Sequence, residues 1–325
     1  MLGRGLMKNR PGRRSAGVWA VVAAAAVLLG AVACSSTNAP QSGPSGTSST
    51  GAGPKLAAVA TINAWGSIAS QLGGDRVRVT SIITNPDTDP HSYEPSTADA
   101  RMVADAKVVV ENGIGYDTWA DKMLAPDPNP QRTVVNVGDS VGVAQGGNPH
   151  QWYSPDSVTK VANAITAAYK NADPNDSGYF DQENQQFLNQ VLSNYHGLIA
   201  SIKAKYAGTP VAASESIFSP LSDALGLNLI TPPQFLKAIS EGSDPSPADK
   251  ATIDRQIATK AIKVYVFNTQ NNDPDVQAQV DAAKKQGIPV TSVTETLSPA
   301  NVSFQDWQCT QLSGLADALH TATGK

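Results

Sequence analysis

The sequence has few of the residues that build disulfide frameworks or basic binding surfaces. It contains two cysteines and four histidines among 325 residues, and its formal charge is −4. Beyond residue 33, 19 lysines and arginines stand against 28 aspartates and glutamates, a net charge of −9, and the basic residues form no cluster. An acidic chain without a basic patch argues against a nucleic-acid partner and mildly favours cationic ligands.

The N-terminal segment has no acidic residue, and its apolar run is too short for a comfortable membrane span. Basic residues between Arg4 and Arg14 precede the apolar run from Val18 to Ala33, a pattern typical of a secretory signal peptide. The run ends in Ala31-Val32-Ala33-Cys34, which resembles a bacterial lipobox with alanine where leucine is usual. We expect residues 1–33 to be a signal peptide and Cys34 to be lipidated, with plain secretion as the alternative.

The next segment, residues 35–54, is almost entirely Ser, Thr, Gly, Pro and Ala. Such a composition cannot bury enough apolar surface to fold, so we assign residues 34–55 to a lipidated N-terminus and flexible tether. A tether of this length reaches about 25 Å, which holds a domain just outside the cell membrane. Because lipid accounts for Cys34, Cys309 has no disulfide partner and is predicted to be a small buried hydrophobe.

The rest of the chain alternates β-rich runs with helical patterns, which predicts βα units and mostly parallel sheets. Strands are predicted at Leu56–Ile62, Val77–Ile83, Val108–Glu111, Val211–Ala213, Asn228–Thr231, Ala261–Phe267 and Pro289–Val293. Helices are predicted at Ser96–Ala106, from Pro155 after a Ser154 cap, at Ser246–Lys260 and at Asp273–Gln286. A long apolar stripe predicts one linking helix at residues 175–207, about 45 Å long if it has 30 residues. The predicted fold class is therefore α/β, with βα lobes at 56–174 and 208–325 joined by that helix.

Four side chains are predicted to hold a ligand, because ligands gather where parallel strands end. His91 follows the second predicted strand, and His150 precedes the helix that begins at Pro155; each histidine directly follows a proline, whose fixed φ stiffens the loop. Glu215 and Glu295 each follow a strand after the linking helix. Any one of them alone has the plain interpretation of a solvated loop residue. Their joint placement, two before the linking helix and two after it, predicts a site between the lobes.

The motifs occur in a recognisable order along the mature chain. Gly73-Gly74-Asp75, Asp89–Pro95, Asn112–Gly115 with Trp119, and Asn148–Trp152 together resemble the zinc- and manganese-binding solute-binding lipoproteins of bacterial ABC importers. The resemblance runs from about Ala58 to beyond Pro299. It implies an extracytoplasmic protein anchored to the cell membrane, which passes its ion to a membrane permease driven by a cytoplasmic ATPase. We expect such a protein to be a monomer.

The resemblance also implies the ligand set. His91 and His150 match the family's first two ligands, and Glu215 matches the third, which is histidine in many zinc binders and glutamate in many manganese binders. The fourth ligand is usually aspartate, so Glu295 departs from the family pattern. Two imidazoles and two carboxylates suit one divalent ion, Mn²⁺ or Zn²⁺. The absence of histidine from residues 116–149 tilts the choice towards Mn²⁺, whereas raw affinity favours Zn²⁺.

Two other functions remain open at this point. A secreted metal-dependent hydrolase needs an open coordination position and a general base, and no HExxH motif is found in the sequence. An adhesin, or a binder of another small solute, could use the same fold. His196 in the linking helix and His320 near the C-terminus are expected to be solvated rather than ligands.

Overall fold

Two parallel sheets form the framework of the protein, seen in a computed structural model that describes residues 54–86, 88, 93–271 and 273–325. The first sheet contains β1 (Leu56–Ile62), β2 (Val77–Ile83), β3 (Val108–Glu111) and β4 (Thr133–Asn136). Its order is β2-β1-β3-β4, and every pair is parallel. The first three strands were predicted with these bounds, because each is a run rich in residues that favour strands. We call the part of the protein built on this sheet the first lobe.

The second sheet repeats this topology and defines the second lobe. It contains β5 (Pro210–Ala213), β6 (Asn228–Leu229), β7 (Val264–Asn268) and β8 (Val290–Val293), ordered β6-β5-β7-β8 with parallel pairing. The predicted strand from Ala261 begins three residues later than expected. The preceding Lys260 has φ of 53°, which ends a helix and turns the chain before the strand can start. The predicted fold class, two parallel βα lobes, is confirmed.

Helices cover both faces of the sheets. In the first lobe they are α1 (Asn63–Gly73), α2 (Thr97–Asp105), α3 (Thr118–Leu124), α4 (Val137–Val141) and α5 (Pro155–Ala172). The linking segment contains α6 (Ser177–Gln186) and α7 (Ser193–Tyr206). The second lobe contains α8 (Ser219–Leu225), α9 (Pro233–Ser240), α10 (Pro247–Ala258), α11 (Pro274–Lys285) and α12 (Phe304–Thr323). Ser96, Ser154 and Ser246 cap α2, α5 and α10 through their side chains, and proline occupies the first turn of the last two.

The linking segment is helical over most of its length but is not the single helix that the sequence predicted. A π-helical turn at Phe187–Val191 separates α6 from α7, and Leu192 leaves helical geometry with ψ of 2°. The wider turn shifts the apolar stripe, so that Leu192 is buried five residues after the buried Phe187. The sequence predicted a regular stripe through Leu188 and Val191, and both of these are only partly buried. Tertiary packing therefore sets the local helix type here.

One apolar core extends through both lobes. It includes Trp65 and Trp152 from the first lobe and Phe218 and Trp307 from the second. Because side chains of the two lobes pack in the same cluster, a wide hinge opening would expose much apolar surface. Cys309 is partly buried and packs against this cluster, less enclosed than predicted. Within the described residues, no helix is both long and apolar enough to cross a membrane.

Candidate functional site

The described candidate residues lie at the ends of strands or at a helix start. Glu215 comes two residues after β5, and Glu295 comes two residues after β8. Asn268 ends β7, beside β5, at the point where the strand order of the second sheet reverses; ligands of α/β sheets bind at such points. His150 precedes a short 3₁₀ helix at Gln151–Tyr153. His91 lies outside the described residues.

His150 is fully buried, and the side chain of Asn148 orients it. Its Nδ1 lies 2.9 Å from Oδ1 of Asn148, and its backbone N–H donates to the same oxygen at 3.0 Å. The ring of Trp152 packs edge-on, with its centroid 5.3 Å from that of the imidazole. An imidazole held through one nitrogen presents the other to a ligand, and here the other is Nε2.

Glu295 of the second lobe lies opposite His150. The distance from His150 Nε2 to Glu295 Oε1 is 3.8 Å. Glu295 Oε2 accepts a 2.7 Å hydrogen bond from the hydroxyl of Tyr116, a residue of the first lobe. Asn268 Nδ2 donates to Oε1 at 3.4 Å from within the second lobe. Side chains from both lobes therefore position this carboxylate.

Glu215 is a buried carboxylate with one unsatisfied oxygen. Its side chain is 1% exposed; Oε2 accepts a 3.4 Å hydrogen bond from Ser240, and Oε1 has no hydrogen-bond partner among the described residues. Burial raises the pKa of Glu215 well above its usual range, and the charge of Glu295 raises it further. The side chains of Asn268, Asn271 and Ser240 oppose this rise only in part, and a buried carboxylate of this kind is suited to a cation as its partner.

These side chains are neighbours but do not form a complete metal shell by themselves. In the part of the chain that the structure describes, no group of three or more His, Cys, Asp or Glu side chains is arranged to hold a metal ion. A groove of about 410 Å³ lies between the lobes and is lined by Gly115 and Asn148 on one side and by Ser216 and Ser240 on the other. Asn148 contacts His150 and Ser240 contacts Glu215, so the groove lies directly beside the candidate ligands.

The loop that carries Tyr116 has an unusual backbone. Residues 113–115 all have positive φ, and the central one, Ile114, is β-branched with φ of 61°. Such a conformation is rare for a β-branched residue and persists only where the surroundings enforce it. The buried carboxylate of Asp117 enforces it by accepting two backbone N–H groups at the start of the loop, at 2.7 and 2.8 Å. This strained loop positions the Tyr116 hydroxyl to donate its hydrogen bond to Glu295 Oε2.

Comparison with known proteins decides the family. Residues 58–318 match the model of the family described as ZnuA, zinc-uptake complex component A, periplasmic. The chain belongs to this family. The resemblance drawn from the histidine motifs is thus confirmed. The zinc-uptake family supplies binding components of uptake complexes, so the prediction that the chain is not an enzyme holds and the hydrolase alternative does not.

Individual relatives agree with this membership of the zinc-uptake family. The manganese ABC transporter substrate-binding lipoprotein PsaA of Streptococcus pneumoniae is 24% identical over 249 residues, which cover 71% of this chain and 78% of that protein. The periplasmic zinc binding protein TroA of Treponema pallidum has a similar fold, with a TM-score of 0.69 at 18% identity over 83% of this chain and 99% of that one. A manganese-bound periplasmic metal binding protein of Candidatus Liberibacter asiaticus also has a similar fold, with a TM-score of 0.68 at 18% identity over 82% of this chain and 100% of that one.

Sequence reasoning missed the polar side chains that hold the predicted ligands. They are Tyr116, Asn148, Ser240, Asn268 and Gln270. Asn148 carried a usable signal, because asparagine two residues before a backbone N–H forms an Asx turn. The other four gave none, since their partners lie far away in the sequence. His196 and His320 are both exposed, as predicted, and lie in α7 and α12.

Proposed function

We propose that the protein captures one divalent transition-metal ion, Mn²⁺ or Zn²⁺, outside the cytoplasm and delivers it to the permease of an ABC importer. The observation that carries this proposal is the approach of His150 Nε2 to Glu295 Oε1, 3.8 Å apart, inside a family of uptake-complex binding components. Two donor atoms bound tetrahedrally to one ion stand roughly 3.4 Å apart, given metal–ligand distances near 2.1 Å. A contraction of about 0.4 Å would bring both atoms onto one ion.

The proposed ligands are His91, His150, Glu215 and Glu295. Two nitrogens and two carboxylate oxygens match the donor preferences of both ions, and no thiolate is included that would select a softer metal. The unsatisfied Oε1 of Glu215 supports its assignment, because an ion would replace the hydrogen bonds that this oxygen lacks. A manganese-binding lipoprotein and a zinc-binding periplasmic protein among the relatives leave both ions in the proposal.

The proposed mechanism is capture between the lobes followed by release at the membrane. An ion bonded to both lobes stabilises the closed arrangement by its higher affinity for that state. The continuous core and the linking segment restrict the motion to a small tilt and local loop movement. Acid weakens binding in this mechanism, because protons compete with the ion for the two imidazoles.

The proposal extends to anchoring and assembly. Residues 1–33 serve as a signal peptide, Cys34 carries lipid and residues 34–55 form the tether, all outside the described residues apart from the last two. We place the first lobe at 56–174, the linking segment, predicted as one helix, at 175–207 and the second lobe at 208–325, and propose a monomer. A Cys34→Ser variant should leave the membrane fraction, and light scattering of the untethered chain should give the mass of one copy.

Metal analysis of the purified protein tests the function. About one equivalent of Mn or Zn should accompany the chain from rich medium, and calorimetric competition on metal-free protein should rank the two ions. A double His150→Ala, Glu215→Ala variant should lose the ion. His196→Ala with Asp281→Ala is the matched control, since both residues are exposed and lie outside the proposed site. A wild-type protein that binds neither ion, or a double variant that binds as well as wild type, would refute the function.

A further inference from the structure

The side-chain amide of Asn148 makes contacts in both lobes, through its oxygen in the first lobe and through its nitrogen in the second. Its Oδ1 accepts the backbone N–H of His150 at 3.0 Å and lies 2.9 Å from the Nδ1 of the same residue. Its Nδ2 donates to the backbone carbonyl of Ser216 at 2.7 Å, across the cleft in the second lobe. One side chain therefore contacts a proposed ligand of the first lobe and the residue that follows a proposed ligand of the second.

The hydrogen-bond pattern fixes both the amide orientation and the imidazole tautomer. The backbone N–H of His150 can only donate, so the amide atom that it meets must be the oxygen of Asn148. The same oxygen can only accept, so Nδ1 of His150 must carry a proton to bond with it. The lone pair of the neutral ring is then on Nε2, the nitrogen that points towards Glu295.

Ser216, the residue that Asn148 contacts in the second lobe, is linked to Glu215 by hydrogen bonds through Ser240. Ser216 donates its backbone N–H to Ser240 Oγ at 3.0 Å, and the two hydroxyls lie 2.8 Å apart. Ser240 in turn donates to Glu215 Oε2 at 3.4 Å. The position of the Ser216 carbonyl is thus linked to the carboxylate of Glu215 through one short polar chain.

We propose that Asn148 is a positioning residue that couples the metal-ready tautomer of His150 to the closed arrangement of the lobes. This inference rests on the proposed function. While the lobes are closed, the hydrogen bond to Ser216 keeps the side-chain amide of Asn148 from rotating. The amide oxygen then keeps the ring proton of His150 on Nδ1, so that the lone pair is on Nε2. When the lobes separate, the hydrogen bond to Ser216 breaks and the amide of Asn148 can rotate. Its hydrogen bond to His150 Nδ1 is then weaker. Separation at the permease therefore loosens one ligand at the moment when the ion has to leave.

Two substitutions at this position separate the two ends of the amide. Asn148→Asp keeps an acceptor for His150 but removes the donor and places a carboxylate against the Ser216 carbonyl. Asn148→Ala removes both contacts. Asn171→Asp and Asn171→Ala are the matched controls, because Asn171 is exposed and its amide donates to Thr133, away from the cleft.

Metal-free protein gives the first readout, which does not depend on the proposed function. In nitrogen–proton correlation spectra of the histidine rings at pH 8, wild type and Asn148→Asp should show His150 protonated at Nδ1, and Asn148→Ala should show a mixture. Hydrogen exchange of the segment 216–218 should be about tenfold faster or more in both Asn148 variants, and unchanged in the Asn171 controls. An Nδ1-protonated ring in Asn148→Ala, or unchanged exchange in Asn148→Asp, would overturn the inference.

Metal-loaded protein gives the second readout. Groups that orient a ligand typically change metal affinity by about 10- to 100-fold when removed, so Asn148→Ala should bind that much more weakly. Asn148→Asp should release the ion faster than wild type in stopped-flow chelation, because repulsion between its carboxylate and the Ser216 carbonyl replaces the link between the lobes. If wild type binds the ion and both variants release it at the wild-type rate, the inference fails and the function stands. If Asn148→Ala does not fold, the Asn148→Asp and Asn171→Asp pair decides the matter through exchange and release rates.

Discussion

Tyr116 and Glu295 join the two lobes through a 2.7 Å hydrogen bond from a phenol to a carboxylate. The bond occupies Oε2 of Glu295 and leaves Oε1, 3.8 Å from His150 Nε2, as the oxygen directed to the proposed ion. A carboxylate that offers one oxygen keeps the coordination number low, as zinc prefers. Manganese tolerates carboxylate ligands that bind through both oxygens. Tyr116 therefore bears on the choice of metal without being a ligand.

Tyr116→Phe should shift that choice towards manganese. The ring still packs edge-on against Trp152, at 5.3 Å between centroids, so the change is confined to the hydroxyl. With Oε2 of Glu295 released from the phenol, we expect the ratio of Zn²⁺ to Mn²⁺ affinity to fall by up to about tenfold. Competition calorimetry measures the ratio, and Tyr179→Phe is the control, since its hydroxyl contacts Asp75 on the far side of the first lobe. An unchanged ratio would show that Tyr116 serves only packing.

Glu215→Gln should stabilise the metal-free protein while it weakens metal binding. A buried charge beside Glu295 disfavours the folded state, and an amide of the same shape removes it. We expect the free energy of unfolding without metal to rise by about 1–3 kcal/mol and metal affinity to fall at least tenfold. Urea unfolding with and without the ion measures both, and Asp281→Asn at an exposed position is the control. A variant less stable than wild type without metal would contradict the account of Glu215.

Much of this fold follows from local sequence, and the reason is visible in particular elements. Leu56–Ile62 and Val108–Glu111 are apolar because both of their sheet faces are buried, so their bounds were predictable. Ser154 before Pro155 marked a helix start through capping chemistry alone. The π-helical turn at Phe187–Val191 was not predictable, because it depends on which side chains the neighbouring helices leave room for.

In the candidate site, too, some residues were predictable from the sequence and others were not. Glu215 and Glu295 were predicted because each carboxylate follows a parallel strand, where ligands of α/β sheets bind. Tyr116 and Asn268 were not found, since nothing near them in sequence shows that they contact Glu295, 179 and 27 residues away. Contacts between the lobes depend on how the two lobes pack together. A sequence pattern reports only on the element in which it occurs, so it cannot predict such contacts.

Glu111→Gln should make the stability of the protein less dependent on pH. Burial at the end of β3 raises the pKa of Glu111 from 4.5 to about 7; a hydrogen bond from Asn136 opposes this shift and three nearby aspartates add to it. The raised pKa means that folding disfavours the ionised form. The resulting penalty is absent below pH 4.5, grows between pH 4.5 and 7, and is complete above pH 7.

The variant should therefore equal wild type at pH 4 and exceed it by about 1–3 kcal/mol at pH 8. Its amide oxygen can still accept the 2.9 Å hydrogen bond from Asn136. Urea unfolding at the two pH values measures the difference, with Glu241→Gln as the control, since an exposed i,i+4 pair contributes little. A variant that gains equally at both pH values would rule out ionisation of Glu111 as the cause.

Gln270→Ala should weaken metal binding and stability together. Gln270 Nε2 donates to the backbone carbonyl of Pro86 in the first lobe and, at 2.8 Å, to Thr296. Its Oε1 accepts the backbone N–H groups of Glu295 and Thr296, so one amide fixes the Glu295 loop and links it to the segment after β2. Losing these four bonds at about 1 kcal/mol each should lower the free energy of unfolding by up to about 4 kcal/mol.

The accompanying loss of metal affinity should be tenfold or more, because Glu295 would no longer be held in place. Gln256→Ala is the matched control: its amide also donates to a backbone carbonyl, that of Ile230 at 2.7 Å, but entirely within the second lobe. We expect Gln256→Ala to lose stability without losing metal affinity. Equal metal affinity in the two variants would mean that the Glu295 loop keeps its shape without Gln270, and that the contact with Pro86 contributes to stability alone.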